Sequence, residues 1–197
     1  MSSDRQRQIL EAAVRVIAHS GVRGLRVEKL SAEAGVSTAL IYYHFGDRAG
    51  LMRKTLEFIS DRAGRYTHEA LDIGKDAREQ LELLLLLELQ DTPTVRENSV
   101  AWGELRASAV FNPDLREPLG TSTREWADDL AGMIRQAQAA GLADADAVPV
   151  DVAERLTALV EGVSERWLSG SMSLERAREL VEGAVVAELG MRSPGKG

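Results

Sequence analysis

Apolar residues recur at intervals of three and four along almost the whole chain, and no stretch alternates apolar and polar residues as a half-buried strand does. The first apolar stripe consists of Ile9, Leu10, Ala13, Val14 and Ile17. It predicts a helix over about residues 4–19, which Ser20 and Gly21 end. The chain is therefore expected to fold from helices.

Three further helices are predicted in the first part of the chain, because residues suited to helix ends punctuate it. A short helix over about residues 28–34 ends at Gly35, a residue suited to the left-handed conformation that closes helices. Ser37 is suited to cap the start of a third, short helix. Asp47 is suited to cap a fourth, long helix that reaches about Leu71.

The rest of the chain predicts five more helices, over about residues 76–90, 93–111, 121–140, 150–169 and 173–190. An irregular connection is expected at Asn112-Pro113 and from Pro118 to Gly120. The predicted fold is all-α with about nine helices. It comprises an N-terminal three-helix helix-turn-helix domain over residues 1–54 and a larger helical bundle over residues 55–197.

The two short helices flank a turn, as in a helix-turn-helix, whose second helix enters the major groove of DNA. Three segments there carry a family pattern: Ala34-Gly35-Val36-Ser37, Ile41-Tyr42-Tyr43-His44-Phe45, and Asp47-Arg48 with Leu51. They resemble the DNA-binding domain of TetR-family transcriptional regulators. The later segments from Trp102 to Leu115 and from Trp126 to Leu142 resemble the C-terminal domain of the BetI-like subgroup.

The resemblance implies that the second helix of the pair reads DNA, because recognition helices contact bases with their N-terminal residues. The implied DNA-binding residues are Arg26, Lys29, Ser37, Thr38, Ala39, Tyr42, Tyr43, His44 and Arg48. The family often has threonine where this chain has Arg26, glycine at Ala39 and lysine at Arg48. Two alternatives stay open: Tyr42 as a core aromatic, and His44 as a cation that stabilises a helix end.

The net charge of −7 disfavours a nucleic-acid partner as long as it is taken as a whole. It is unevenly distributed. Residues 1–66 carry 11 Lys and Arg against 7 Asp and Glu, a net charge of +4. The remaining 131 residues carry 13 against 24, a net charge of −11. This asymmetry favours DNA contact by the N-terminal domain alone.

The middle helices are expected to enclose a small-molecule cavity, since such sites are lined by aromatic and flexible apolar side chains with a few polar anchors. The candidate lining residues are Phe58, Trp102, Leu105, Arg106, Trp126, Leu130, Met133 and Trp167. The alternative is that these residues are ordinary core. For Arg106, the alternative to a ligand contact is an internal partner, Glu104 or Glu165.

The last two helices carry apolar stripes with two interpretations. In a monomer they are core; as the resemblance implies, they form a four-helix dimer interface with two helices from each subunit. The residues assigned to that interface are Leu156, Leu159, Val160, Val163, Leu180, Val181, Ala184 and Val185. A dimer also suits the motif, because two recognition helices must lie about one turn of DNA apart.

Several kinds of site have no support in the sequence. There is no cysteine, which excludes disulfides, thiol nucleophiles and cysteine zinc sites. His19, His44 and His68 lack metal-ligand spacing, and neither a glycine-rich phosphate loop nor a nucleophile elbow is present. No cofactor, catalytic residue, secretory signal or membrane span is predicted, and a cytoplasmic protein is expected.

The predicted function is a ligand-responsive DNA-binding regulator. It is expected to repress transcription by binding a palindromic operator as a homodimer, and to be released when a small-molecule effector tilts the long fourth helix. Two alternatives remain: a helical small-molecule-binding protein or enzyme without a DNA role, and a DNA-binding activator with a protein partner.

Overall fold

The fold was analysed in a computed structural model that describes residues 2–190, apart from the side chains of residues 2, 3 and 65–71. Within these residues it contains nine α-helices, one turn of 3₁₀ helix at Pro113–Leu115 and no strand, which confirms the all-α prediction. The helices are α1 (Ser2–Gly24), α2 (Val27–Ala34), α3 (Thr38–Phe45), α4 (Arg48–Ile73), α5 (Ala77–Leu87), α6 (Pro93–Ala109), α7 (Arg116–Ala139), α8 (Pro149–Leu168) and α9 (Leu174–Leu189).

The helix ends predicted around the turn are formed by the expected residues. Gly35 closes α2 in the left-handed conformation, with φ 63° and ψ 36°. The Ser37 hydroxyl accepts a hydrogen bond from the Leu40 N–H at 3.2 Å and caps α3. The Asp47 carboxylate accepts one from the Gly50 N–H at 2.7 Å and caps α4. These caps fix the end of α2 and the starts of α3 and α4.

One predicted boundary is confirmed and one is wrong. Gly21 ends the regular part of α1 as predicted, with φ 68° and ψ 171°, and a short helical segment follows this break as far as Gly24. The expected irregular connection at Pro118–Gly120 lies inside α7. Pro118 is the third residue of that helix, where a proline removes no internal hydrogen bond because the first N–H groups have no helical partner.

The chain forms two compact units. The first contains residues 1–63 and 96–122, and its core joins α1 to α4 with side chains of α6, the 3₁₀ turn and the start of α7. The second contains residues 64–95 and 123–197, and its core is built from α5, α7, α8 and α9. The first unit thus combines the helix-turn-helix with most of α6.

Two arginines cross-link α5 and α9 in the second unit. Arg78, 1% exposed, begins α5 and donates to the carbonyls of Val185, Leu189 and Gly190 at the end of α9, at 3.1–3.3 Å. Arg178, near the start of α9, donates to the carbonyls of Leu86 and Leu89 at the end of α5. The two helices are therefore antiparallel, and each supplies a cation to the other's C-terminus.

Candidate functional site

The turn between α2 and α3 is held by hydrogen bonds on both sides. The Ser31 hydroxyl donates to the Val36 carbonyl at 2.6 Å, and the Val36 N–H donates to the Ser31 carbonyl at 3.1 Å. From α1, the Gln8 amide donates to the Ala34 carbonyl at 2.8 Å. Leu30 and Ile41 are buried on the inner faces of the two helices. The orientation of α3 relative to α2 is therefore fixed.

The outer face of α3 is exposed and aromatic. Tyr43 is 80% exposed and Tyr42 is 52% exposed, so the interpretation of Tyr42 as a core residue is wrong. Phe45, one turn from Ile41, is buried in the first core. The His44 ring lies edge-on to Tyr43, with ring centroids 5.2 Å apart. An exposed aromatic pair stabilises no core, which points to a binding surface.

The N-terminal end of α3 presents small polar and apolar groups. Ser37 and Ala39 are exposed and Thr38 is half-buried. The hydroxyl of Ser37 is engaged as the helix cap, which leaves Thr38 and Ala39 as the residues suited to base edges. A threonine hydroxyl can donate a hydrogen bond to an acceptor on a base edge or accept one from a donor there, and an alanine methyl packs on a thymine methyl.

Three arginines line a groove of about 460 Å³ beside α3, together with Tyr42 and the acids Glu28 and Asp47. They are Arg23, Arg26 and Arg48. Arg23 was absent from the predicted DNA-binding set, because an isolated arginine at a helix end is indistinguishable in sequence from a solvated surface residue. Arg23 lies two residues after the break at Gly21, where the sequence predicts the end of the first helix.

Two of the predicted DNA-binding cations make contacts within the domain. The Arg48 guanidinium donates to the Val22 carbonyl at 2.7 Å and to the Leu25 carbonyl at 3.4 Å. Lys29 donates to the Ser20 hydroxyl. Arg26 stands at the N-terminus of α2 without a side-chain capping bond and is exposed, as the replacement of a capping threonine predicts.

The predicted pocket residues are divided between the two units. In the first, Leu105 is completely buried, Phe58 and Trp102 pack on the core, and the Arg106 guanidinium lies 5.5 Å from the centre of the Trp102 ring. In the second, Leu130, Met133 and Trp167 are buried and Trp126 packs against them from the rim of the core. The burial of the two leucines favours their interpretation as core.

The two acids considered as partners for Arg106, Glu104 and Glu165, lie on different helices, α6 and α8. Glu104 accepts a hydrogen bond from the Val22 N–H at 3.0 Å. Glu165 is exposed on α8. The carboxylate of Glu104 thus serves the backbone of α1.

Buried polar atoms without a hydrogen-bond partner within the described part of the chain include Asn98 Oδ1, Trp126 Nε1 and Ser164 Oγ. Burying such an atom unpaired costs free energy, so each is a candidate ligand contact. Asn98 and Ser164 were not predicted. Their sequence signal is a polar residue on an apolar stripe: Asn98 lies three residues after the buried Val95, and Ser164 three before the buried Trp167.

Most residues assigned to the dimer interface are buried within the single chain. Leu156, Val160, Val163, Val181 and Val185 belong to the second core. Leu159, Leu180 and Ala184 remain partly exposed. The outward faces of α8 and α9 instead present a row of small or apolar exposed residues: Ala158, Gly162, Gly183, Val186 and Ala187.

Metal and membrane sites find no support in the residues that the structure describes. Among them no group of three or more His, Asp or Glu side chains is arranged to hold a metal ion. His68 lies outside the described side chains. No helix over the described ranges is long and apolar enough to cross a bilayer.

Two family models match the sequence. One, described as bacterial regulatory proteins of the tetR family, matches residues 9–55. The other, described as the C-terminal domain of BetI-type transcriptional repressors, matches residues 77–190. A curated relative, the HTH-type transcriptional regulator BetI of Burkholderia lata, is 24% identical over 88% of this chain and 85% of its own.

Solved structures extend the likeness to the whole fold. A structure described as a TetR-family transcriptional regulator from Rhodococcus sp. has a TM-score of 0.89 and 46% identity, over 95% of this chain and 99% of its own. A transcriptional regulator from Saccharomonospora viridis, solved in complex with choline, has a TM-score of 0.85 and 27% identity, over 96% and 100% of the two chains. These relatives are regulators and not enzymes.

Proposed function

Because the chain belongs to the TetR family of bacterial regulatory proteins and has a BetI-type repressor C-terminal domain, we propose that it binds a palindromic operator as a homodimer and leaves it when a small-molecule effector binds. That it is a DNA-binding transcriptional regulator follows from its family. The observation that carries the proposal is the exposed face of α3, fixed by the capped turn before it and flanked by the arginine groove.

DNA binding divides between the end of α3 and the groove. Thr38 and Ala39 contact base edges, and Tyr43 contacts a base or the backbone from the most exposed position on the helix. Arg23 and Arg26 neutralise phosphates. The Arg48 guanidinium stabilises the protein's own backbone, since two of its N–H groups already donate to the Val22 and Leu25 carbonyls.

The dimer forms through the outward faces of α8 and α9. The small residues Ala158, Gly162 and Gly183 let helices of two subunits approach closely, and Val186, 43% exposed, supplies apolar area. A twofold axis through this face would make the two copies of α3 equivalent. Such a dimer reads two half-sites of opposite orientation.

The effector is a small molecule. Trp126 Nε1 and Ser164 Oγ, both buried in the second unit without partners among the described residues, supply one donor and one hydroxyl for its recognition. Choline is the first compound to test, since the Saccharomonospora viridis regulator was solved with it. An indole face also suits a quaternary ammonium group.

The decisive experiment selects bound duplexes from a random-sequence DNA pool with the full-length protein. The expected result is enrichment of an inverted repeat whose half-site centres lie about one helical turn, or a multiple of it, apart. The Tyr43→Ala protein should bind the enriched duplex at least about tenfold more weakly, as the loss of a base or backbone contact predicts.

The matched control is Phe111→Ala. Phe111 is an aromatic residue that is 88% exposed just after α6 and is not among the predicted DNA-binding residues. Its removal should leave the dissociation constant within about twofold. No enriched sequence, or equal effects of the two substitutions, would refute the proposal.

A further inference from the structure

The break in α1 is held by the side chains of two other helices. Gly21 adopts φ 68°, outside the helical region, and the peptide that follows leads to Val22. The Val22 N–H donates to Glu104 of α6 at 3.0 Å. The Val22 carbonyl accepts from Arg48 of α4 at 2.7 Å. Val22 lies in the segment that joins the break at Gly21 to α2, residues 21–26, which is called the connection between α1 and α2 from here on. It is thus held at both of its backbone polar groups.

The space around Gly21 shows how closely α6 approaches. A β-carbon at this position would lie 2.8 Å from Glu104 Oε2, in addition to the strain of a positive φ. Glycine therefore permits both the bend and the contact. Val22 itself is buried, so its side chain fixes the connection in the first core.

One short stretch of α6 contains both Glu104, which binds the Val22 N–H, and several candidate effector contacts. Glu104 lies two residues after Trp102 and two before Arg106, and the unpaired Oδ1 of Asn98 lies six residues before it. The Asn98 amide also donates to the Ile59 carbonyl of α4 at 3.4 Å. These residues all belong to the first unit, as does the helix-turn-helix.

We propose that Glu104 is a positioning residue that couples α6 to the DNA-reading helices through the Val22 backbone. A displacement of α6 moves the Glu104 carboxylate, loosens the connection between α1 and α2, and so changes the placement of Arg23 and Arg26 beside α3. The inference rests on the proposed function for its biological meaning. It adds a route through α6 to the tilt of α4 expected from the sequence.

Coupling is reciprocal, which allows a test without a known effector. If α6 biases the reading helices, operator DNA bound at the reading helices must alter α6. Trp102 is two residues from Glu104 and reports on its surroundings by fluorescence. Replacing the other two tryptophans, Trp126→Phe and Trp167→Phe, leaves Trp102 as the sole tryptophan of the full-length chain, and its emission is excited selectively at wavelengths that tyrosine does not absorb.

In this single-tryptophan protein, saturating operator duplex from the random-pool selection should change Trp102 emission. Adding Glu104→Ala should abolish that change and weaken operator binding by about threefold to tenfold, the range expected for one hydrogen bond. Adding Glu104→Gln should restore both the change in emission and the affinity, because the amide oxygen still accepts from the Val22 N–H.

The control is Glu97→Ala, which removes a half-buried carboxylate from the same helix and should preserve both signals. Circular dichroism of each variant establishes that it is folded before titration. A Trp102 response that persists in the Glu104→Ala protein, or is absent from the parent while DNA binds, would overturn the inference alone. A protein that selects no DNA would overturn the proposed function instead.

Discussion

Arg78 illustrates how a charged residue that looks like surface in the sequence becomes part of a core. Its guanidinium bonds three carbonyls at the end of α9 and the Glu82 carboxylate at 2.7 Å. Because Arg78 lies four residues before Glu82, the sequence predicts an exposed ion pair between the two side chains on one helix. The long-range bonds arise from the antiparallel packing of α5 and α9, which no local pattern encodes.

Replacing Arg78 by methionine should lower the free energy of unfolding by about 2–4 kcal/mol, because three buried carbonyls and a carboxylate lose their donor. Urea denaturation followed by circular dichroism measures this. Arg176→Met, which breaks an exposed ion pair with Glu179, is the control and should cost less than about 1 kcal/mol. Equal losses in the two variants would show that Arg78 does not fasten α9.

Glu88 gives the protein a pH dependence of known sign. Burial, and next the negative charge of Glu161, raise the pKa of Glu88 from 4.5 to about 8. The folded state therefore binds a proton that the unfolded state has released between these pH values. Its contribution to stability is complete below about pH 4.5 and is lost as the pH rises through about 8.

Glu88→Gln should remove this part of the pH dependence, since the amide stays neutral. The measurement is the urea midpoint from pH 5 to pH 9 for both proteins. The parent should lose stability relative to the variant across this range. Parallel curves would contradict the raised pKa of Glu88.

At the scale of helices, the ends were more predictable than the interiors. Ser37 and Asp47 cap their helices as predicted, because a cap is a local bond between a side chain and the backbone nearby. The start of α7 at Arg116 was missed, since Pro118 marks a loop and a first helical turn equally well. The helix end at Gly21 was predicted from nearby residues, but the hydrogen bond from the Val22 N–H to Glu104, 82 positions away in the sequence, was not.

Two glycines with open space around them test whether backbone conformation alone sets the α2–α3 turn. A β-carbon would meet no atom within 4 Å at Gly35 or at Gly132, but Gly35 alone of the two has a positive φ, of 63°. Gly35→Ala should destabilise the protein by about 1 kcal/mol through strain. Gly132→Ala, inside α7, should stabilise it by about 0.5–1 kcal/mol. Thermal unfolding measures both, and shifts of the same sign would refute this explanation.

At the scale of the whole molecule, the family could be predicted from the sequence, but the exposed face of α8 and α9 that we propose as the dimer interface could not. Apolar periodicity marks the side of a helix that is buried, and five of the eight proposed interface residues are buried within one chain. Ala158 and Gly183 are too small to register as an apolar stripe. The face they occupy becomes visible only when the inner side of each helix is known.

Ala158→Glu should convert the protein to a monomer, because each subunit would place a charge in a closely packed interface. Sedimentation equilibrium should give the mass of one chain, and operator binding should weaken by at least about tenfold with the loss of the second half-site. Ala145→Glu, which adds the same charge at an exposed position before α8, is the control. An Ala158→Glu protein that remains dimeric would exclude this face.

Positive and negative net charge lie in different parts of the chain. The net charge of +4 belongs to residues 1–66, which include α3 and the arginine groove, and the net charge of −11 belongs to the remainder. We expect the acidic remainder to repel DNA and so to confine its attraction to the N-terminal part of the chain. The net charge of −7 conceals this division.

The central claim is that this chain binds DNA through the arginine groove and the exposed face of α3. The salt dependence of operator binding tests this claim most directly. Fluorescence anisotropy gives the dissociation constant of the selected duplex between 50 and 200 mM NaCl. With about four phosphates neutralised by a dimer, through Arg23 and Arg26 of each subunit, affinity should fall by about 10²-fold over this range. Substituting Arg23 and Arg26 by glutamine should make the dependence shallower. Affinity that is independent of salt, or a slope unchanged by the two substitutions, would contradict the account.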